Sequence, residues 1–304
     1  MADHLNWDAQ ALWRQLDPLL PGISVEVLGR VASTNTRLLE RARTRGGPPD
    51  DAATRPALLD TLVPAPAENP QPHGRRAADA SPCLLVAEEQ TGGRGRLGRN
   101  WVSRAGSSLT FSLSLPLAPA QWSGLSLAVG LALAQALDPL LAPHEGPVRL
   151  GLKWPNDLWL WDGPGRGRKL GGILIETVSV GEQRLCVVGV GLNVLPMDLD
   201  GMPHGQGSLQ ELHPGVSPPQ VLALVAAPLV RAVLRFEQAG FSPLVAAYAR
   251  RDLLLGQAVT TTAPEALEGV AEGVDEQGAL RVRSGSLHRV LSGEVSVRLQ
   301  ARGG

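Results

Sequence analysis

Ten residues, Gly92 to Trp101 (GGRGRLGRNW), constrain this chain more than any other stretch. Four glycines (Gly92, Gly93, Gly95, Gly98) are interleaved with three arginines (Arg94, Arg96, Arg99), and a tryptophan closes the run. Glycine lets backbone N–H groups come close to a ligand and tolerates positive φ. Arginine offers a permanent, forked charge suited to carboxylate and phosphate oxygens. The run reads either as a mobile cationic loop able to wrap an anion, or as a basic surface turn or a fragment of an RGG-type RNA-binding tail. Its neighbours favour the first reading. Cys83 to Ala87 (CLLVA) is a short apolar run before it, and after it Leu109, Phe111, Leu113 and Leu115 alternate with Ser108, Thr110, Ser112 and Ser114. That period of two is a strand signal, and a low-complexity tail is not strung between two strands.

A chain of 304 residues, 43% hydrophobic and 19% charged, can bury one large domain, or one large and one small. The formal net charge of −1 argues against nucleic-acid binding by bulk electrostatics. Cys83 and Cys186 both sit in apolar strand-like runs, which fits buried thiols in a reducing compartment and neither a disulfide framework nor a thiolate metal site. The N-terminus (MADHLNWDAQ) has no basic segment followed by an apolar one, so no signal peptide is read there. The longest apolar stretch, Leu125 to Ala142, is interrupted by Gln135, Asp138 and Pro139 and predicts a core helix, not a membrane span. The expectation is a cytoplasmic protein with neither nucleic acid nor membrane among its partners. One bias is informative: of 28 basic residues only Lys153 and Lys169 are lysine. Where arginine serves everywhere else, two retained lysines mark places that need a compact amine.

In chain order, Asn6–Leu16 predicts an amphipathic helix and Ile23–Leu28 a strand. Ser33, Thr34 and Asn35 then open a helix to about Ala42, as N-cap residues or as a ligand site at a helix start. Fewer than 25 residues precede that strand, too few for a winged helix-turn-helix. Arg45 to Pro82 is rich in Pro, Ala and Asp without periodicity and reads as a disordered insertion. A core helix is expected from about Trp122 to Leu137, capped by Ser123. Val148 to Trp161 (VRLGLKWPNDLWLW) reads strand, turn, strand, with Pro155 and Asn156 making the break. After the glycine-rich loop 162–168 come two more strands, Lys169–Thr177 and Leu185–Val194. Helices are predicted at Gln220–Phe236 and Ser242–Arg250. From Gly256 five short strands suggest a small closed barrel. Trp154, Trp159 and Trp161 are read as core residues, and no histidine is assigned a role.

Four segments thus bring polar groups to strand ends: the Ser33-Thr34-Asn35 cap, the arginine loop, Lys153 to Asp157, and Lys169. They suit the meeting of two anions, a carboxylate and the α-phosphate of ATP, whose repulsion must be offset by fixed cations and by Mg²⁺ on the leaving pyrophosphate. These residues resemble the biotin protein ligase family. Its GRGRxGR run followed by tryptophan is Gly93 to Trp101, its KWPND turn is Lys153 to Asp157, and its KxGGIL strand is Lys169 to Leu174. Its glycine-rich strand ending in asparagine is Gly189 to Asn193, and Glu89 and Gln90 also match.

The resemblance implies an α+β fold: a class II synthetase-like mixed or antiparallel sheet with flanking helices (1–255, with 45–82 as the insertion), plus a small C-terminal SH3-like β-barrel (256–304). It implies that biotin and ATP give biotinyl-5′-AMP, and that the biotinyl group passes to one lysine of a biotin carboxyl carrier protein. It allows a homodimer and, without the DNA-binding domain of bifunctional members, implies no repressor activity. Carried over by position, Ser33, Thr34, Asn35, Gln90, Gly93, Arg94, Gly95, Arg96, Lys169 and Gly172 would bind biotin. Arg94, Arg96, Arg99, Trp101, Lys153, Asn156, Asp157, Lys169 and Asn193 would bind ATP with Mg²⁺. Lys169, Arg96 and Asp157 would carry the catalysis. Lipoyl and octanoyl transferases share the same sheet but not the GRGRxGR loop. A non-catalytic nucleotide-binding adaptor would have no need of both lysines.

Overall fold

The computed structural model describes residues 5–45, 81–138, 148–163, 167–197, 206–262, 266–291 and 297–299. Most of the segment read as a disordered insertion, 46–80, lies outside the described residues, as do 164–166 of the glycine-rich loop. The helices are α1 (Ala9–Leu16), α2 (Thr34–Arg45), α3 (Leu125–Leu137), α4 (Pro218–Ala239) and α5 (Val245–Ala249). Strands β1 (Ser24–Val31), β2 (Cys83–Gln90), β5 (Ser108–Pro116), β6 (Arg149–Lys153), β7 (Asp157–Trp161), β8 (Gly167–Val180) and β9 (Gln183–Asn193) form one sheet in the order β1-β2-β5-β9-β8-β7-β6. Only β1 and β2 are parallel, joined by a crossover that includes α2; every other neighbouring pair is antiparallel.

The period-two pattern of β5 places its two rows on opposite faces, yet both rows are buried. Leu109, Phe111, Leu113 and Leu115 join the main core with β9 residues Val188, Val190 and Leu192 and with α3 and α4. The serine and threonine row faces the other side. There Leu38, Leu39 and Ala42 of α2 pack on Cys83, Leu85, Leu185 and Val187 in a second, smaller core. Burial pushes the Cys186 thiol up to about 12, and Cys83 is buried as well. By length and composition α4 could cross a bilayer; here it is a core helix packed on α3. It opens with a capping box, Ser217 with Gln220, and Pro218 at its first position, two residues before the predicted start.

Helix α3 also departs from expectation. It begins at Leu125, three residues later than predicted, and its N-cap is Gly124 at φ +87°, without a side-chain cap. Ser123 is not the cap: its hydroxyl donates to the Gln277 carbonyl at 2.7 Å, a partner 154 residues away. Beyond α5, strands β10 (Ala258–Thr261), β11 (Glu268–Val274), β12 (Leu280–Ser284), β13 (Ser286–Val290) and β14 (Val297–Leu299) make a five-stranded antiparallel sheet, order β13-β12-β11-β10-β14. Its inward residues Val259, Ala271, Leu280 and Val282 belong to the same hydrophobic cluster as the large sheet.

The junction between the two sheets carries a part-buried acid. Leu152 at the β6 edge pairs with the segment after α5, its N–H donating to the Arg251 carbonyl at 2.8 Å and its carbonyl accepting from Leu253 at 3.0 Å. Asp252 accepts the Leu254 N–H at 2.9 Å, while its other oxygen and the buried Tyr248 hydroxyl find no hydrogen-bond partner. Burial raises the Asp252 carboxyl from 3.8 to about 6, against the pull of the Leu254 and Leu255 N–H groups. A folded state that holds a proton more tightly than the unfolded chain loses stability as pH rises between those two values. Stability is therefore expected to fall between about pH 4 and pH 6 by up to about 3 kcal/mol. Asp252→Asn, which keeps an acceptor for Leu254, should flatten that fall and be the more stable form at pH 7. Urea midpoints measured across pH check this, and identical pH slopes in both proteins would refute it.

Candidate active site

The site is built where β8 and β9 carry no side chains. Gly172 stands opposite Gly191, and Leu174 opposite Gly189. A Cβ at Gly189 would overlap the Asn35 amide, one at Gly191 would overlap the Trp101 indole, and one at Gly172 would come within 3.2 Å of Lys169 Nζ. Helix α2 covers only part of this face of the sheet. Over the remainder lies a cavity of about 700 Å³, walled by the α2 N-terminus, the arginine run and the Lys153–Asp157 turn. Gln90 at the end of β2 and Asp157 at the start of β7 are four strands apart, about 19 Å at the usual strand spacing. An elongated ligand is therefore the natural occupant.

One end of the cavity is neutral and fully hydrogen-bonded. Gln90 Oε1 accepts from the Thr34 N–H at 2.7 Å and from its hydroxyl at 3.1 Å. The Ser112 hydroxyl lies 2.6 Å from both Thr34 Oγ1 and Asn35 Oδ1. Asn35 Nδ2 donates to the Leu174 carbonyl and to Glu176 at 3.1 and 2.9 Å. Capping of α2 falls to Ser33, whose Oγ accepts the Thr36 N–H at 3.3 Å, which leaves Thr34 and Asn35 free for this network. Ser112 was not legible as a site residue, because the alternation of β5 reads as an outward polar row.

The other end is cationic. Lys169 Nζ is 2.7 Å from Asp157 Oδ1. Lys153 Nζ lies 4.1 Å above the Trp159 ring, and Lys169 Nζ is 6.0 Å from the Trp101 ring centre. Trp154 and Trp159 are buried as expected, and both also line the cavity. The Trp154–Pro155 peptide is cis. Asn156 donates to the Ile173 carbonyl at 2.9 Å and accepts from Arg96 at 3.2 Å. Burial lowers the Arg96 pKa, and the charge of Arg99 lowers it further, while Asp157 opposes both. A guanidinium stripped of water in this way attracts an anion more strongly than one on the surface.

The arginine run forms a short hairpin. β3 (Gly93–Arg94) pairs with β4 (Asn100–Trp101), and a 3-10 turn at Arg96–Gly98 forms the tip. Leu97 at that tip sits at φ +57° and is half exposed, a conformation that costs a non-glycine residue about 1 kcal/mol. Of the residues predicted for the site, Ser33, Thr34, Asn35, Gln90, Arg94, Gly95, Arg96, Arg99, Trp101, Lys153, Asn156, Asp157, Lys169 and Gly172 line the cavity. Gly93 and Asn193 do not. Gly93 is needed where β3 meets the Trp101 carbonyl, which a side chain would overlap. Asn193 Nδ2 donates to the carbonyls of Lys169 and Gly207 at 3.1 and 3.2 Å, tying β8 to the segment that follows β9. The Arg94 guanidinium reaches both oxygens of Glu176 at 3.1 Å, so a carboxylate of the chain itself holds it.

Comparison with known proteins agrees with this geometry. The model of the biotin/lipoate A/B protein ligase family matches residues 75–193, and that of the biotin protein ligase C-terminal domain matches 254–298. The biotin–[acetyl-CoA-carboxylase] ligase of Mycobacterium tuberculosis is 32% identical over 296 residues, 95% of this chain and 90% of the relative. The chain belongs to the biotin protein ligase family. The bifunctional ligase/repressor BirA of Escherichia coli is 34% identical over 220 residues, 70% of this ligase but 65% of the longer relative. Among solved structures, the Aquifex aeolicus biotin protein ligase in complex with biotin and ATP superposes with a TM-score of 0.65 at 26% identity, over 91% of this ligase and 99% of that chain.

The Arg94–Glu176 pair is partly exposed, so its contribution should be of the order of 0.2–1 kcal/mol. Glu176→Gln is accordingly expected to speed tryptic cleavage within Arg94–Arg99 by about two- to fivefold while leaving the melting temperature within a few degrees. Timed digestion read by mass spectrometry checks this, and an unchanged cleavage rate would mean the hairpin is held by its own backbone alone.

Proposed function

We propose that this ligase condenses biotin and ATP to biotinyl-5′-AMP in the cavity over Gly172, Gly189 and Gly191. The biotinyl group then passes to the ε-amine of one lysine on a biotin carboxyl carrier protein. The observation that carries the reading is a single cavity with a neutral, donor- and acceptor-rich end and an end holding Arg96, Arg99, Lys153 and Lys169. The ureido head of biotin is a neutral group with donors and an acceptor and suits Thr34, Asn35 and Gln90. Its carboxylate and the phosphates of ATP suit the cationic end. We assign 1–255 to the catalytic unit and 256–304 to a C-terminal unit; the start of the C-terminal match at residue 254 supports that division.

In the first step a biotin carboxylate oxygen bonds to the α-phosphorus and the bond to pyrophosphate breaks. Two anions must approach, and Arg96 and Lys169 offset their repulsion from fixed positions. Asp157 holds Lys169 in place, and Asn156 holds Arg96. Among the described residues no three His, Cys, Asp or Glu side chains group as a metal cage. Mg²⁺ keeps several waters and is carried by substrate phosphates with one or two protein oxygens; the Asp157 carboxylate, which lines the cavity, would supply one. Bound with ATP, the ion supplies charge neutralisation at the leaving pyrophosphate. In the second step the lysine nitrogen bonds to the acyl carbon, AMP departs and the amine loses a proton. Biotin-dependent release of pyrophosphate, with biotinyl-AMP found in the bound fraction by mass, tests the assignment. Release driven equally well by octanoate or lipoate would reject it.

Two substitutions examine the roles. Lys169→Arg preserves charge but not the compact amine held by Asp157, and the adenylation rate at saturating biotin should drop well over threefold, a barrier change above about 0.6 kcal/mol. A smaller loss would make Lys169 a generic cation. Arg96→Gly removes a desolvated charge-assisted contact worth roughly 1.5–3 kcal/mol. Adenylate should still form, because Lys169 remains, but escape about ten- to a hundredfold faster. With a lysine-rich bystander protein present, bystander labelling should rise while carrier labelling falls. Unchanged retention would place the shielding elsewhere in the hairpin.

A further inference from the structure

The C-terminal sheet reaches the catalytic turn through one buried bond. Trp154, the second residue of the Lys153–Asp157 turn, is 1% exposed, and its indole N–H donates to the Gly278 carbonyl at 3.0 Å. Gly278 closes the turn between β11 and β12, and that turn is built to hold its shape. Asp275 accepts the N–H groups of Gln277 and Ala279 at 2.9 and 3.0 Å. Arg289 of β13 braces it from outside, donating to Asp275 at 2.6 Å and to Gln277 at 2.8 Å. The turn seats tightly on the large domain: Gly278 has φ +76°, and a Cβ there would stand 2.8 Å from Gly124 Cα. Beside it, Ser123 donates to the Gln277 carbonyl. The same start of α3 touches the catalytic turn a second time, where Ser126 donates to the Pro155 carbonyl at 2.9 Å.

We infer that Trp154 is a positioning residue through which the β11–β12 turn of the C-terminal sheet sets the phosphate end of the active site. The residues that follow Trp154 hold the cations: Asn156 accepts from Arg96 and Asp157 pairs with Lys169. The neutral end is made by other side chains, Thr34, Asn35, Gln90 and Ser112, bonded to one another and to Leu174 of β8. A displacement of Trp154 therefore reaches Arg96 and Lys169 directly, through Asn156 and Asp157, and the neutral network only by way of β8. Among the described residues the C-terminal sheet supplies no group to the cavity wall, yet it determines where two of the wall's cations stand. The inference rests on the assignment of that end to ATP.

Trp154→Phe keeps an aromatic ring but removes the N–H together with part of the indole. Gly278→Ala attacks the same contact from the other side, by strain and by overlap with Gly124. In the full-length protein both should lower kcat/KM for ATP in biotin-dependent pyrophosphate release by about tenfold, the effect of one unmade buried hydrogen bond. The biotin dissociation constant, measured without ATP, should stay within twofold of wild type. Ser123→Ala, which loses the neighbouring bond, should shift kcat/KM in the same direction by less. Unchanged ATP kinetics in Trp154→Phe overturns the inference. So does biotin affinity that falls in parallel, or failure of both Trp154→Phe and Gly278→Ala to fold, since each marks a contact that is only architectural. Whether the wild-type protein binds biotin and releases pyrophosphate is read in the same assays, so a failure of the biotin ligase reading is seen separately.

Discussion

The structure depends on the absence of three side chains. A sheet covered on both faces normally fills its centre with branched residues, as β5 and β9 do toward α3 and α4. At Gly172, Gly189 and Gly191 the opposite face is left bare, and the Asn35 amide, the Trp101 indole and Lys169 stand in the space that side chains would occupy. Because side chains alternate along a strand, Val190 and Leu192 fill the core while their glycine neighbours form the floor of the site. One strand thus serves stability and function with alternate residues, and neither role can be altered without moving the other by the width of a side chain.

Above that floor, charge is organised by pairing. Lys169 is held by Asp157 and Arg94 by Glu176. Arg96 donates to the neutral amide of Asn156, and the charge of Asp157 acts on it as well. Partial desolvation weakens its hold on its proton without discharging it, and an incoming anion can satisfy it more fully than water does. The hairpin that presents Arg96 is short, with a strained tip at Leu97. It is also stapled to the neutral network, because Glu176 binds Arg94 and Asn35 together.

The two sheets act as one body at the level of packing. Their inward residues form a continuous core, the β6 edge is capped by backbone from the segment after α5, and Gly278 accepts the indole N–H of the catalytic turn. The small sheet is in effect a buttress for the end of the cavity that has the fewest strands behind it, since β6 is the last strand of the large sheet. Asp252, part-buried at that seam with one enclosed, unsatisfied oxygen, is the point where the seam responds to pH.

By itself the sequence determined the parts whose signal is local. Period-two alternation located β5, and the arginine run and two lone lysines marked the cationic end. These are readable because a strand's faces, a turn's φ and a residue's charge are set within a few positions along the chain. Only the tertiary structure decided which polar residues meet. Ser112 reaches a partner 78 residues away, and Trp154 one 124 residues away. Ser123 left the helix cap for a carbonyl of the C-terminal sheet, Arg94 pairs with Glu176, and Asn193 donates to the backbone of β8. A hydrogen-bonding side chain takes whichever partner folding brings within about 3 Å, and periodicity carries no record of that distance.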